Sequence, residues 1–575
     1  QDAAGGAIFA TDGSAVGVVR SQFLQNSVDV DRYSGGNGGA IASVNNTNVT
    51  ISNSDFSQNY ASGTAGAVRL IGGENTLTQV TFDRNSADFF GGAVTLNRTD
   101  HTVISNTLFQ QNRSSDGGAF RVFGGSTTWE NNVRFINNYA HGQAGGITSG
   151  DGGDGTIDGG THRFDEIMAD GNVADQDAGF LNIIGTDRAV DVTIRQSEII
   201  NNRAEDDGGA IDTYSNTNGY ATVQFDDVLV SGNSAGDSGG GLRFRDGVDI
   251  TLNHVRLVGN VAGDRANPDQ GIFGQGGGLH IIGSHVSGNN VEIRNNQAFF
   301  GGGGAAVMLT NILAAADGPG VLSLVNSQII GNVSTYTHGG GVLAAHGSKV
   351  TLTNVQANHN SAAGDGAAIY GLSSLELRPA ADVTLFSSTV AHNVSNSNKD
   401  GVGQSAIYME SGGQVSPFGI VSDPAIFKSY NSVLAHTING AGNTVTDYGG
   451  ATPVEVQYTL VSKLDPLTGW SEDNNLLNIN PQFTDEGAGL YGLRTNSPAI
   501  DAGTSQFLPQ DWFDLDQDGN RQEVLPLDFR FNPRIENGQL DLGAVESGNL
   551  LQQVHSSLAG DTAVGLVLVS DVYGL

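Results

Sequence analysis

Polar and apolar residues alternate through most of this chain. In VTISNSDFSQN (49–59), HTVISNTLFQQN (101–112) and TLTNVQANHN (351–360) the apolar side chains recur mainly at every second position. A period of two puts one set of side chains on one face of an extended strand, and the Gly, Asn, Asp and Ser between the runs mark turns. No stretch carries a 3.6-residue apolar period with caps. The expectation is therefore an all-β chain with no helix beyond end caps.

The alternation is organised by a recurring phrase. FSQNYASGTAGAV (56–68) returns as TFDRNSADFFGGAV ending at Val94, LFQQNRSSDGGAF ending at Phe120 and IINNRAEDDGGAI ending at Ile211. Its asparagines stand at 26, 59, 85, 112, 138, 172, 202, 233, 260, 296, 332, 360 and 393, from about 26 to 36 residues apart, which is the period of a solenoid. Asn59, Asn85, Asn112, Asn138, Asn202 and Asn233 are expected at stacked turns, where Asn tolerates the left-handed conformation and like amides form ladders. The glycine pair permits a corner and a close approach of neighbouring coils. Phe56, Phe82, Phe109 and Phe135 hold one repeat position and predict a stack of rings inside the coil. One such unit cannot bury its own apolar face, so only stacking makes a core. The fold expected is a right-handed, single-stranded parallel β-helix of about thirteen to eighteen coils.

The paired FxxN and GGA-apolar phrases, over about residues 5–396, resemble those of the chlamydial polymorphic membrane proteins and related bacterial surface β-helices. Further on, GLYGLRTNSPAIDAGT (489–504), the Asp-rich DWFDLDQDGNRQ and DLGAVE (541–546) follow in the order that marks the C-terminal region of the bacterial "choice-of-anchor" β-helix proteins. Asp501, Arg534, Asp541 and Glu546 fall on the fixed polar positions of that region. The resemblance implies an exported surface protein, with these residues locking the last coil by bidentate pairing of Arg with acid. The chain divides accordingly into a repeat region (1–430), C-terminal coils and signature region (431–546), and an apolar tail (547–575).

Composition narrows the partners. Lys plus Arg number 26 against 60 Asp plus Glu, a net charge of −34. No basic patch offsets such a field, which argues against nucleic acid and anionic membrane. With no Cys, disulfides, thiolate metal sites and Cys nucleophiles are excluded. No apolar run is long enough for a transmembrane helix. A start at Gln1, with no charged leader before it, reads as a mature, exported form.

The best chemical motif is FDLDQDGN. Asp514, Asp516 and Asp518 alternate, Gly519 permits a sharp turn, and Asn520 can add its carbonyl; three carboxylates so placed suit calcium, as in EF-hand-like loops. Leu525 stands where such a loop ends in a bidentate acid, so Glu523 or Asp528 would have to substitute. The twelve His residues show no HxxxH or HExxH spacing, and no zinc site is expected. The acid pairs Asp206–Asp207 and Asp226–Asp227 read as solvated corners. The function expected is structural: a stalk, adhesin or fibre subunit, with surface glycans among the expected partners. The alternative is a polysaccharide lyase or glycoside hydrolase of the β-helix type, which requires acids from three or more adjacent coils gathered with an Arg. Finally, AVGLVLVSDVYGL (563–575), with Val564, Leu566, Val567, Leu568 and Val569, is β-prone and apolar. Added to the first coil of another copy, it predicts head-to-tail self-association.

Overall fold

The computed structural model describes residues 4–29, 36–149, 160–185, 189–215, 221–263, 274–308, 318–345, 347–374, 379–396, 405–413, 421–451, 455–465, 469–484, 486, 489, 491–536 and 538–547. The run Val564 to Val569 lies outside the described residues. Among the described residues there is no α-helix, and so no helix long and apolar enough to cross a membrane.

The chain is a parallel β-solenoid. A forty-stranded sheet winds around the stack and a thirteen-stranded sheet of two-residue strands closes each turn. One turn shows how the phrase folds. Val68–Ile71 forms the first face, and Glu74–Asp83 forms the second and third, bent at Gln79 with φ 55°. Asn85 follows, then the short strand Ser86–Ala87, then the Gly91–Gly92 corner that begins the next turn. Register is in phase from turn to turn: Val68 pairs with Val94, Phe82 with Phe109 and Ala61 with Ala87.

The alternating apolar residues point inward and merge into one core running from Val18 to Leu464. The phenylalanine stack is present: Phe23, Phe56, Phe82, Phe109 and Phe135 follow one another with centroids 4.6, 5.1, 4.9 and 4.9 Å apart. The two corner glycines answer to different needs. The first lies at positive φ, 61° in Gly91 and 64° in Gly208, and Ala65, Ala144 and Ala178 take the same conformation in their turns. The second has no room for a side chain, since a Cβ on Gly66, Gly92 or Gly209 would sit 2.1 Å from a carbonyl oxygen of the following turn.

The asparagine column differs from expectation in one respect. Left-handed residues do occur at this turn, but they are the ones just before the column: Gln58, Arg84, Gln111, Asn137, Asn201 and Gly232 have φ between 53° and 65°. The preceding residue makes the corner, which leaves each column amide free to turn inward and bond along the stack.

The stack continues past residue 430. Ile426–Tyr430, Val433–Ala435, Leu460–Val461 and Leu476–Leu477 continue the same sheet. The architecture changes after 477. The chain then turns back through the antiparallel pair Phe483–Thr484 and Gly492–Leu493 and lies along the outside of the turns already built. Positions of the turns beneath this segment are covered by it. Ala391, Val433 and Ala435 pack there with Phe483, Tyr491 and Leu542.

Candidate functional sites

Three groupings of polar side chains stand out, each made by stacking or by the returning segment. The first is the column itself. From Asn26 to Asn360, each Nδ2 donates to Oδ1 of the Asn in the next turn at 2.8–3.1 Å, and the ladder ends at Asn393. That same Oδ1 also accepts the main-chain N–H of the preceding column residue, as Asn233 does from Asn202 at 2.8 Å. The second Nδ2 hydrogen goes back to a carbonyl in the turn before, from Asn85 to Phe56 and from Asn202 to Ala169. From Asn59 to Asn393 both Nδ2 hydrogens of each column amide are used, which is what burial of an amide demands.

The second grouping is the acidic loop on the returning segment. Its neck is a hydrogen-bonded pair of strand ends: Asp511 N–H donates to Glu523 O at 2.9 Å and Leu525 N–H to Pro509 O at 2.9 Å. Leu515 is buried beneath it. Carboxylate oxygens of Asp514, Asp516 and Asp518 converge within 4.8 Å, and a second such set comprises Asp511, Asp516 and Glu523. Gly519 N–H donates to Asp514 at 3.0 Å and Asn520 N–H to Asp518 at 2.7 Å, which shapes the turn.

Asp511 is the residue that spacing missed. It is 1% exposed, and its Oδ2 accepts Leu515 N–H, while Oδ1 has no hydrogen-bonding partner. Glu523 Oε1 is likewise buried and unpartnered. Desolvation, and then the neighbouring carboxylates, push both groups above their usual range. Five acids, two of them with orphaned oxygens, fit a hard divalent cation with an all-oxygen shell. Of the two candidates for the closing ligand, Glu523 is in place. Asp528 is not, because its carboxylate caps the next turn, accepting N–H groups from Arg530, Asn532 and Glu546.

The third grouping lies on the outward surface of the first face. Register stacks Asn182, Asp212, Arg243 and His280 in successive turns. Arg245 Nη2 donates to Asp212 Oδ2 at 2.6 Å and lies 3.9 Å from Asp177, while Arg243 Nη1 reaches Asp207 at 2.5 Å and Asp212 at 3.7 Å. Arg245 also covers the ring of Tyr214. Acids of adjacent turns are thus gathered with two arginines. Asp207, expected to be solvated, is largely buried and also accepts Ser238 N–H at 2.9 Å. Its pairing comes from a residue 36 positions away in sequence that stacking brings alongside.

The electrostatics of this face are unusual. Burial, partly offset by the arginines, pushes Asp177 up to about 6 and Asp207 up to about 7. Burial and then Arg243 and Arg245 push His280 down to about 3, so it is neutral, and neither ring nitrogen has a hydrogen-bonding partner. Two carboxyl groups titrating near neutrality beside arginines can donate as well as accept, which suits polar recognition and acid–base chemistry. The other acid pair is different. Asp226 meets Arg195 at 3.3 Å, and Asp227 is exposed near His254.

The four signature residues hold the returning segment rather than the last coil. Arg534 is fully buried; Nη2 donates to Gly543 O at 2.5 Å and Nη1 lies 3.3 Å from Glu546. Glu546, pushed up to about 8 by burial, accepts Asp541 N–H at 3.0 Å, and Asp541 accepts the main-chain N–H of Asp501 at 2.8 Å. The pairing is a single contact plus carbonyls, not a bidentate fork. The knot is seated on the side of the stack, where Ala544 N–H donates to Thr389 and Gly543 N–H to Asn431 O.

No protein-family model matches the chain, and no curated protein or solved structure matches it.

Proposed function

We propose that this chain is an exported cell-surface structural protein, a stalk, adhesin or fibre subunit, that engages glycans through its acid–arginine face and is stiffened by calcium at the acidic loop. The observation that carries the reading is the grouping of Asp177, Asp207, Asp212, Arg243 and Arg245 on the outward surface of a long ladder-braced stack. Paired acids and arginines match the alternating donors and acceptors of sugar hydroxyls. Asp511, Asp514, Asp516, Asp518 and Glu523, with the Asn520 carbonyl nearby, supply the oxygen ligands for calcium. Head-to-tail association through the 563–575 run belongs to the same reading. Electron microscopy should show rods or filaments, and deleting residues 560–575 should leave single rods. Binding to a polysaccharide panel without product, weakened by Asp207→Ala, supports the adhesive reading, and absence of any glycan binding removes it.

A second reading is favoured by Asp177 and Asp207. Carboxyl groups held near neutrality beside arginines are what a polysaccharide hydrolase or lyase uses. Release of reducing ends or unsaturated sugars, abolished by Asp207→Asn, would establish it in place of simple adhesion.

A further inference from the structure

His392 and His436 lie far apart in sequence and one turn apart in the stack. Both occupy the left-handed corner, at φ 51° and 57°, where the backbone turns the side chain outward. The returning segment brings a carboxylate to them. Phe483, Tyr491 and Leu493 pack on Ala391, Val433 and Ala435, and this anchorage holds Glu486 over the two imidazoles. His392 Nε2 lies 3.1 Å from Glu486 Oε2, His436 Nδ1 lies 3.6 Å from the same oxygen, and the two nitrogens are 3.4 Å apart.

We propose that His392, His436 and Glu486 form a binding site for a divalent transition metal of the zinc class. The triangle of donor atoms carries the argument. Zinc bonds of about 2.0–2.1 Å at tetrahedral angles hold donor atoms about 3.3 Å apart, and the three edges bracket that value. The donor set also selects the ion. Two imidazoles with one carboxylate suit zinc, cobalt or nickel, whereas calcium and magnesium take oxygen shells.

Three protein ligands leave a fourth position for water or an incoming donor. His359 stacks on His392 at 5.8 Å and meets the Tyr491 hydroxyl at 3.4 Å, so the neighbourhood of that position is polar and aromatic. A metal here ties the returning segment to two turns of the stack, on a different part of that segment from the acidic loop.

The test is calorimetric titration of zinc into metal-free, full-length protein, in excess calcium so that the acidic loop is satisfied. One equivalent should bind at a Kd of about 10 μM or tighter. His436→Asn and Glu486→Gln should each weaken binding at least about tenfold, while Asp516→Ala leaves it unchanged. Asn is chosen because it tolerates the left-handed corner, and circular dichroism confirms that each variant is folded. Cobalt should give the intense visible bands of a four-coordinate ion, lost in the same variants. Absence of zinc binding at about 100 μM, binding undiminished in His436→Asn, or binding lost in Asp516→Ala would each overturn the assignment.

Discussion

Asn202 and Asn233 are joined twice through one oxygen: Oδ1 of Asn233 accepts Nδ2 of Asn202 at 3.0 Å and its main-chain N–H at 2.8 Å. Asn202 in turn serves Asn172 in the same way. Each rung therefore supports both neighbours, and the turns become interdependent although only adjacent ones touch.

The rung is sensitive to chemistry as well as size. Asn202→Ala should cost about 2–4 kcal/mol, because the Asn172 amide and N–H and the Ala169 carbonyl lose their partners. Asn202→Asp keeps the acceptor but turns a second oxygen toward the acceptors of Asn233 and Ala169. Its carboxyl group would be raised in the fold, so its stability would be greatest in acid and lost as pH rises. Thermal melts of the two variants at pH 4 and pH 7 check this: Asp should be the better tolerated at pH 4 and the worse at pH 7.

The close approach of the turns gives a purely steric prediction. Gly209→Ala places a methyl group 2.1 Å from the Gly240 carbonyl oxygen, so main chain must move. The expected loss is about 1–3 kcal/mol, read as a lowered unfolding midpoint. The control is Gly247→Asn, since Gly247 also has positive φ, 84°, with open space around it, and should lose much less.

Calcium should raise the melting temperature of the wild-type protein, and Asp516→Ala should abolish the dependence. Asp511→Asn, invisible to motif spacing, should weaken binding as well. Because Asp511 and Glu523 are both raised, protons compete with the cation and affinity should fall as pH drops. Calorimetry that finds no heat at millimolar calcium would leave the loop an acidic turn.

The acid–arginine face makes stability depend on pH with a definite sign. Asp177 and Asp207 are raised to about 6 and about 7 from 3.8, so the unfolded chain releases their protons first. Their contribution is complete below about pH 4 and is lost as pH rises to 7. His162 and His280 act oppositely: burial lowers them to about 4 and about 3, so their contribution is present above pH 6.5 and is lost as pH falls. Asp207→Asn should flatten the decline between pH 4 and 7 in metal-free melts. An unchanged slope would show that Asp207 is ionised throughout.

What could be read in advance followed the strictly local patterns. The column asparagines, the glycine corners, the phenylalanine stack and the Asp514–Asp516–Asp518 triplet all rest on spacing within one phrase or one loop. Which residue of the turn is left-handed was not legible, because Gln, Arg, Asn, His and Gly all occupy that place in different turns. Asp511 was hidden because the strand neck, not the motif, brings it to the loop.

The amino-acid sequence alone determined that the chain is a β-solenoid: period-two alternation within a phrase of fairly constant core leaves stacking as the way to bury the apolar positions. Only the tertiary structure decided which polar residues meet. The intervals between turns vary, so Asp212 lies beside Arg243 and His392 beside His436 only once the turns are stacked in register. The return of the chain after residue 477 is likewise tertiary. It depends on Phe483, Tyr491 and Leu542 finding an apolar strip that Ala391, Val433 and Ala435 present only when their turns are stacked.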